Sequence, residues 1–211
     1  MKILLLDVDN TMATFQPTKI LYFRLFLNEK NRNKLKYQIT ARIMIFLLKF
    51  CWFIPGIIEF QRKWIMTLFS KVPNNTIDKE TDLIVDMVME SYRNTIGKRI
   101  DKLRNPNDKV YILSHCPKTI AQKLSQKLGF DGDHSIEITD YFSQKNLNII
   151  NKHKIVKKLK EQNIGSEIIY FADDLIDFKC LKSADQGILV NGSNFTKGFC
   201  KLFAKKITIW E

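Results

Sequence analysis

The sequence predicts an α/β protein, a parallel sheet with helices on both faces, interrupted after its first strand by an all-helical insert. Two observations predict this class. Short apolar runs suited to buried strands alternate with amphipathic stretches of helix length. The alternation stops at about residue 13 and resumes at about residue 105. We therefore expect a core formed by residues 1–12 and 105–211, and a helical insert formed by residues 13–104.

Five short runs are predicted to be strands. The first, residues 2–7, is apolar up to its final aspartate, a pattern typical of a strand buried on both faces of a parallel sheet. The later runs are similarly short and rich in isoleucine, leucine and valine. They are residues 110–113, 135–139, 167–172 and 187–190.

Helices are predicted between these strands. In the helix of residues 117–128, Pro117 suits the first turn and Gly129 suits the end. A second helix is predicted over residues 152–162. Within the insert, four apolar residues recur at the spacing of one helix face: Ile84, Met87, Val88 and Tyr92.

Composition and charge narrow the class of protein. With 45% hydrophobic and 27% charged residues, the chain has an ordinary globular composition, which excludes wholesale disorder. Lys and Arg outnumber Asp and Glu by 34 to 22, which gives a net charge of +12. Such an excess predicts an anionic partner, namely nucleic acid, a membrane surface or a phosphorylated substrate.

The cysteines and the N-terminal run indicate the compartment. No two cysteines form a CxxC pair, which argues against a zinc site. The apolar run before Asp7 is too short for a signal peptide. We therefore expect a cytoplasmic protein whose cysteines are free thiols: Cys51, Cys116, Cys180 and Cys200.

Polar side chains stand where three of the predicted strands end. Ligands of open α/β sheets bind beyond the carboxyl ends of the strands, so we expect these side chains to converge in space. They are Asp7, Asp9, Asn10 and Thr11 after the first strand, Ser114 after the second, and Asp173, Asp174 and Asp177 after residues 167–172.

Such a cluster of carboxylates has a restricted chemistry. Several carboxylates in one pocket resist ionising together, and a divalent cation removes that conflict. A site made only of oxygen ligands favours Mg²⁺, which commonly also contacts a phosphate. One carboxylate can then attack phosphorus and form an aspartyl-phosphate. A second carboxylate two residues further on can protonate the leaving oxygen and later activate water.

The strand-end residues resemble the motifs of the haloacid dehalogenase (HAD) superfamily. Residues 7–11 are similar to its first motif, DxDxT, Ser114 is similar to the second, and residues 172–177 are similar to the fourth. The resemblance implies a Rossmann-like core, with residues 13–104 as a helical C1 cap. A cap at this position resembles the subgroup that holds phosphoserine phosphatases and bacterial phosphatidylglycerophosphatases.

The resemblance also implies roles for the aspartates. Asp7 would be the nucleophile and a Mg²⁺ ligand, and Asp9 would be the general acid/base, with its backbone carbonyl on the metal. The presence of Asp9 favours phosphoryl transfer over dehalogenation. Asp173 would be the third metal ligand, while Asp177, and in one alternative Asp174, would hold metal-bound water.

A second set of residues is implied to bind the phosphate. Thr11 would order the loop around the phosphate, and Ser114 would donate a hydrogen bond to it. A lysine at a helix start would stabilise charge on the nucleophile and the phosphate. Lys152 and Lys154 both fit, and the resemblance to phosphoserine phosphatases favours Lys152.

Several positions depart from the family pattern, among them Ala172 and Asp174 in the fourth motif, where Gly and Ser or Gly are frequent. His115 and Cys116 follow Ser114 where small residues are usual, so a direct role for His115 and a packed or reactive thiol at Cys116 stay open. Gln16 occupies the position at which phosphoserine phosphatases carry a glutamate that recognises the substrate's amine. A neutral amide cannot supply that charge, which argues against an amino-acid phosphate as the substrate.

The insert holds most of the surplus charge. Residues 19–71 contain eleven Lys and Arg and two Asp and Glu, a net charge of +9, together with Trp52, Trp64 and many phenylalanines. Basic residues beside an apolar face suit a helix lying on anionic lipid, although the same lysines could form a solvated rim. Residues 43–58 are too short to span a membrane and predict a buried or surface helix.

The predicted function is a Mg²⁺-dependent phosphomonoester hydrolase that forms an aspartyl-phosphate. The substrate would be a lipid phosphate such as phosphatidylglycerophosphate, met at the inner face of the membrane by a cytoplasmic enzyme. One alternative is a phosphatase of a small soluble phosphometabolite. Another is a non-catalytic basic protein that binds lipid or nucleic acid, although the sequence has no recognisable nucleic-acid module.

Overall fold

One parallel sheet of six strands organises the part of the chain that the structure describes. The structure is a computed structural model, and it describes residues 1–26, 39, 43, 72–136, 151–204 and 206–210. The strand order in the sheet is β3-β2-β1-β4-β5-β6. The strands are β1 (Lys2–Leu6), β2 (Lys109–Pro117), β3 (Gly132–Ile136), β4 (Glu167–Ala172), β5 (Gln186–Val190) and β6 (Ile207–Trp210).

Helices cover both faces of this sheet, which confirms the predicted fold class. Alternate residues of β1 belong to two different cores: Leu4 and Leu6 to one, Ile3 and Leu5 to the other. The helices are α1 (Pro17–Phe26), α2 (Asn74–Asn94), α3 (Gly97–Leu103), α4 (Lys118–Leu128), α5 (Lys152–Gln162), α6 (Phe178–Ser183) and α7 (Asn194–Phe203). Helices α1 to α4 contribute to the first core, and α5 to α7 contribute to the second.

All five predicted strands and the helices predicted between them are present, two elements with the predicted bounds and the others with shifted bounds. Strand β2 extends over Lys109–Pro117 instead of residues 110–113, so Pro117 ends this strand and precedes α4 instead of lying in its first turn. The helix at residues 152–162 and the strand at residues 167–172 match, and Gly129 ends α4 with a left-handed φ of 63°. Strand β3 begins at Gly132, three residues earlier than predicted, and residues 137–139 of the predicted strand lie outside the described residues. Strand β6 and helices α6 and α7 were not predicted.

Helix α2 packs directly on the core. Ile84, Val85 and Val88 are fully buried in the same cluster as Leu4 of β1. The prediction that Met87 shares this face is wrong, because the buried stripe runs through Val85 and Met89 and leaves Met87 42% exposed.

The structure describes only part of the rest of the predicted insert. Ile39 and Ile43 lie in helical conformation with exposed side chains, and the remainder of residues 27–71 falls outside the described residues. The predicted surface helix of residues 43–58 therefore lies almost wholly outside them too. Among the helices that are described, none has the length and apolarity needed to cross a membrane.

Aspartate side chains accept hydrogen bonds from backbone N–H groups at the beginning of three strands. Asp108 accepts a hydrogen bond from the Lys2 nitrogen at 2.6 Å, and Asp131 accepts one from the Val110 nitrogen at 2.8 Å. Asp185 does the same for the Ile168 nitrogen at 2.9 Å. Because buried N–H groups are costly when unpaired, these side chains help to define where β1, β2 and β4 begin.

We expect Asp108→Ala to lower the free energy of unfolding by about 2 kcal/mol, since hydrogen bonds to charged groups are worth about 1.5–3 kcal/mol. Burial alone would raise the pKa of Asp108, but the N–H groups of Asn105 and Lys2 outweigh it, and the pKa is lowered. A lowered pKa stabilises the fold above the unfolded-state pKa of about 3.9 and loses that effect as pH falls through the folded-state pKa.

Urea unfolding of the wild type and Asp108→Ala over a series of pH values checks this. The difference in unfolding free energy is expected to be large at neutral pH and to shrink in acid. Asp101→Ala, which removes an exposed carboxylate on α3, is the matched control. An Asp108→Ala effect no larger than the control, or one that does not depend on pH, contradicts the prediction.

Candidate active site

An irregular turn places the first two aspartates directly after β1. Residues Val8–Met12 form a single helical turn broken at Asn10, which adopts a left-handed φ of 55°. Asparagine tolerates this conformation better than most residues. The Asp7 nitrogen donates to the Phe171 oxygen at 3.1 Å, and the Asn10 nitrogen donates to the Phe15 oxygen at 2.9 Å. The turn thus holds Asp7 at the end of the sheet, 6% exposed.

Lys152 joins two of the predicted carboxylates. Its Nζ lies 2.8 Å from Asp7 Oδ1 and 2.7 Å from Asp177 Oδ2, and all three side chains are buried. Lys152 is the first residue of α5, and the Asn151 side chain caps that helix by accepting from the Lys154 nitrogen. Of the two candidate lysines, the structure brings Lys152 to Asp7 and leaves the Lys154 side chain exposed.

Tyr170 completes this buried cluster and was missed by the sequence analysis. Its hydroxyl donates to Asp177 Oδ2 at 2.9 Å from the middle of β4. Burial and the charge of Asp177 raise the pKa of Tyr170, so the hydroxyl stays protonated and donating. Asp177 Oδ2 thus accepts hydrogen bonds from Lys152 and Tyr170, and the role of Asp177 in holding metal-bound water stays a prediction. A tyrosine among the apolar residues of a buried strand was the available signal, because a buried hydroxyl needs a hydrogen-bond partner.

Asp9 is held by the first turn of α1. Its Oδ1 accepts from the Thr18 nitrogen at 3.1 Å, and its Oδ2 accepts from Thr18 Oγ1 at 2.9 Å. Burial and the neighbouring charge of Asp7 raise the pKa of Asp9 to about 6, against the opposing effect of the Thr18 hydrogen bonds. A carboxyl group that titrates near neutrality suits proton transfer in either direction. Thr18 is a second residue that the sequence analysis missed.

Ser114 lies beside Asp7 inside β2. Its buried side chain hydrogen-bonds to the Asp7 carboxylate, and its Oγ accepts from the Cys116 nitrogen at 3.1 Å. The register of β2 against β3 shifts between Leu113 and Pro117, which breaks the regular alternation around Ser114. Burial, followed by the charge of Asp9, raises the pKa of Cys116, so this buried thiol stays protonated. His115 is half-buried.

Asp173 and two asparagines form the opposite side of the site. Burial and the charge of Asp7 raise the pKa of Asp173 to about 7, while a hydrogen bond from the Asn10 side chain lowers it. Asn191, which follows β5, has a left-handed φ of 53°, and its Nδ2 donates to the Asn10 oxygen at 3.1 Å. Asn191 therefore links the turn after β1 to the end of β5, and no motif had singled it out. Asp174 is exposed and accepts from the Leu175 nitrogen.

A cavity of about 490 Å³ opens beside these residues, within the size range of small-molecule sites. Of the predicted site residues, Asp173 and Asp174 line it, whereas Asp7, Asp9, Thr11, Ser114 and Lys152 are not among its lining residues. Thr11 is fully buried, and its hydroxyl has no hydrogen-bond partner in the described part of the chain. Thr11 is thus placed to pack the turn rather than to touch a ligand in the cavity. The lining residues are Asn10, Thr14, Asp173, Asp174, Asn191, Ser193 and Thr196.

The donor atoms suit Mg²⁺. Burial raises the pKa of both Asp7 and Asp173, and the charge of Asp7 adds to the effect on Asp173, as expected where carboxylates exceed the available positive charge. Within the described residues, no three His, Cys, Asp or Glu side chains form a ready cluster for a metal. Mg²⁺ needs only one or two carboxylates and keeps several waters, so Asp7 and Asp173 fit it.

Comparisons with solved structures agree with this fold. A protein of unknown function from Bordetella pertussis superposes with a TM-score of 0.69 at 9% identity, covering 98% of this chain and 97% of that one. A HAD-family hydrolase from Salmonella enterica serovar Typhi gives 0.64 at 16% identity, covering 93% of this chain and 65% of that one. A phospho-aspartyl intermediate analogue of phosphoserine phosphatase gives 0.58 at 16% identity, covering 100% and 93%.

The chain therefore has the fold shared by HAD-family hydrolases and phosphoserine phosphatases, as the motifs predicted. No protein-family model matches the sequence, and no curated protein sequence matches it. At these identities the superpositions describe the fold, and the chemistry rests on the residues of this chain.

We expect Lys152→Met to lower the free energy of unfolding by about 3 kcal/mol or more, because it leaves buried carboxylates without their cation. Lys154→Met, two residues along the same helix and exposed, is the matched control and is expected to change stability by less than about 0.5 kcal/mol. Chemical denaturation of both variants at neutral pH checks this. Equal effects from the two lysines would show that the buried ion pairs are not what stabilises this region.

Proposed function

We propose that this protein is a Mg²⁺-dependent phosphomonoester hydrolase in which Asp7 is the nucleophile and Asp9 the general acid/base. The observation that carries the proposal is the pair of carboxyl groups of Asp7 and Asp9. One buried carboxylate is held against Lys152, and two residues further on lies a second carboxyl group whose pKa is about 6. The shared fold with HAD-family hydrolases supports the same reaction class.

The first half of the reaction transfers the phosphoryl group to Asp7. A carboxylate oxygen of Asp7 attacks phosphorus, and the bond from phosphorus to the leaving oxygen breaks. Protonated Asp9 gives its proton to that oxygen, so the product leaves as an alcohol. Because Thr18 holds both oxygens of Asp9, one of these hydrogen bonds is exchanged for the leaving group.

The second half regenerates the enzyme. Asp9, now a carboxylate, takes a proton from a water molecule whose oxygen attacks the aspartyl-phosphate at phosphorus. The bond between phosphorus and the Asp7 oxygen breaks, and inorganic phosphate is released. Lys152 and Ser114 offset negative charge beside Asp7 throughout. Mg²⁺, held by Asp7, Asp173 and the Asp9 carbonyl, would neutralise phosphate oxygens so that an anionic nucleophile can approach.

The domain division and the substrate belong to the same proposal. Residues 13–104 would act as the cap, anchored through α2 on the helix layer of the core. A phosphorylated small molecule is the broad substrate class. Gln16 in place of a glutamate argues against phosphoserine, and a lipid phosphate met at the inner membrane face is the finer proposal. The described cysteines, which are buried free thiols, are compatible with a cytoplasmic location: Cys116, Cys180 and Cys200.

We expect Asp7→Asn to abolish phosphate release from an aryl phosphate, because an amide cannot act as the nucleophile. Asp9→Asn is expected to lower kcat by a factor of about 10²–10⁴, the usual contribution of general acid/base catalysis. Phosphate release measured with added Mg²⁺ and with a chelator tests both residues and the metal. Asp101→Asn, remote and exposed on α3, is the control, and activity that survives Asp7→Asn would refute the mechanism.

We expect Asn191→Gly to lower kcat by about tenfold while leaving the thermal unfolding midpoint within a few degrees. Glycine accepts the left-handed backbone of residue 191 but cannot donate to the Asn10 oxygen, so the variant isolates that hydrogen bond. Asn191→Ala retains the strain and removes the bond, and it is expected to lose stability as well. Wild-type kcat in Asn191→Gly would show that the bond does not position the turn.

A further inference from the structure

Helix α7 exposes an unusual set of apolar side chains. Phe195, Leu202 and Phe203 are 74%, 77% and 62% exposed, and their spacing of seven and eight residues puts them on one side of the helix. The opposite pattern is usual, because a surface helix turns such residues toward the core. Here Thr196 and Cys200 are the buried residues of α7.

Aromatic contacts extend this surface to the neighbouring helix. The Phe199 ring lies 4.6 Å from that of Phe203 and 5.2 Å from that of Phe178 at the start of α6, measured between centroids. Large contiguous apolar surfaces on a protein mark sites of interaction. We call the five residues Phe178, Phe195, Phe199, Leu202 and Phe203 the apolar strip.

The apolar strip begins next to the candidate active site. Phe195 lies between Ser193 and Thr196, both of which line the cavity. Ile176, in the turn between Asp174 and Asp177, is a further exposed apolar side chain at 72%. The cavity lined by Asp173 and Asp174 is therefore adjacent to apolar surface.

The chain segment that holds the strip has a net positive charge. Residues 173–206 contain six lysines and four aspartates. Two of the aspartates form ion pairs with lysines outside the strip, Asp177 with Lys152 and Asp185 with Lys160, and the other two, Asp173 and Asp174, line the cavity. Four of the lysines are exposed: Lys179, Lys182, Lys201 and Lys206.

We infer that the apolar strip docks on an anionic lipid surface and thereby holds the cavity against the phosphate of a membrane lipid. A bilayer interface offers an apolar layer for the rings and negative headgroups for the lysines. A second copy of this chain fits less well, because a two-fold interface would set the same lysines against each other. The inference that the strip binds a membrane depends only on the residues of this surface. The choice of a lipid as the substrate rests on the proposed function.

Vesicle binding tests the docking. We expect the wild type to sediment with vesicles of phosphatidylcholine containing phosphatidylglycerol, and to do so less as salt is added. The double variant Phe195→Ser, Leu202→Ser is expected to bind at least about tenfold more weakly, which corresponds to about 1.4 kcal/mol. Lys179→Glu, Lys182→Glu is expected to weaken binding only where phosphatidylglycerol is present.

The control variant removes an exposed apolar side chain that is not part of the apolar strip. Ile164, 93% exposed, lies between α5 and β4 and is not part of the apolar strip, and Ile164→Ser is expected to bind as the wild type does. Unchanged circular dichroism and unfolding midpoints establish that each variant folds. Absence of wild-type binding, or equal loss in Ile164→Ser, overturns the proposal. So does a concentration-dependent dimer, seen by light scattering, that the Phe195→Ser, Leu202→Ser variant abolishes.

Activity on two substrates separates the docking from the catalysis. The Phe195→Ser, Leu202→Ser variant is expected to keep wild-type kcat/KM for a soluble aryl phosphate and to lose about tenfold for phosphatidic acid in vesicles. An equal loss on both substrates overturns the docking role. If the wild type hydrolyses neither substrate, the proposed function fails, whereas the vesicle-binding result still decides the docking.

Discussion

The ion pairs of Lys152 with Asp7 and Asp177 are the interaction on which the candidate site depends. They join the end of β1, the start of α5 and the turn after β4, which are separated by up to 170 residues in sequence. Buried charges of this kind are tolerated only when they are paired and hydrogen-bonded. Tyr170 and Ser114 supply those further hydrogen bonds, so the sheet end is ordered around one lysine.

One lysine cannot balance the carboxylates that gather there. The raised pKa values of Asp9 and Asp173 follow from burial and from their closeness to Asp7. A divalent cation and a phosphate dianion would enter such a site together with little change in net charge. The cost of burying aspartates without a metal is therefore consistent with a site built to be completed by its ligands.

Sequence reasoning predicted that Asp7 and Asp9 follow a buried strand, because an apolar run followed by DxDNT is a strong local pattern. It left Lys152 and Lys154 open, since both begin one helix and only packing decides which side faces β1. Three site residues were not predicted because their roles arise from contacts between segments that are not adjacent in sequence: Thr18, Tyr170 and Asn191. Strand β6 was not predicted from the sequence because it has only four residues and only three residues separate it from α7.

The sheet order has a consequence for how the chain acquires its structure. Strand β1 is made first, yet both of its neighbours, β2 and β4, are made more than a hundred residues later. At about 5–20 residues per second, β1 waits roughly five to twenty seconds for β2 and roughly ten to thirty seconds for β4. Until β2 is made, the apolar residues of β1 have no partner strand. Pairing of β1 is therefore a long-range step, and we expect the sheet to form more slowly than one built from strands adjacent in sequence.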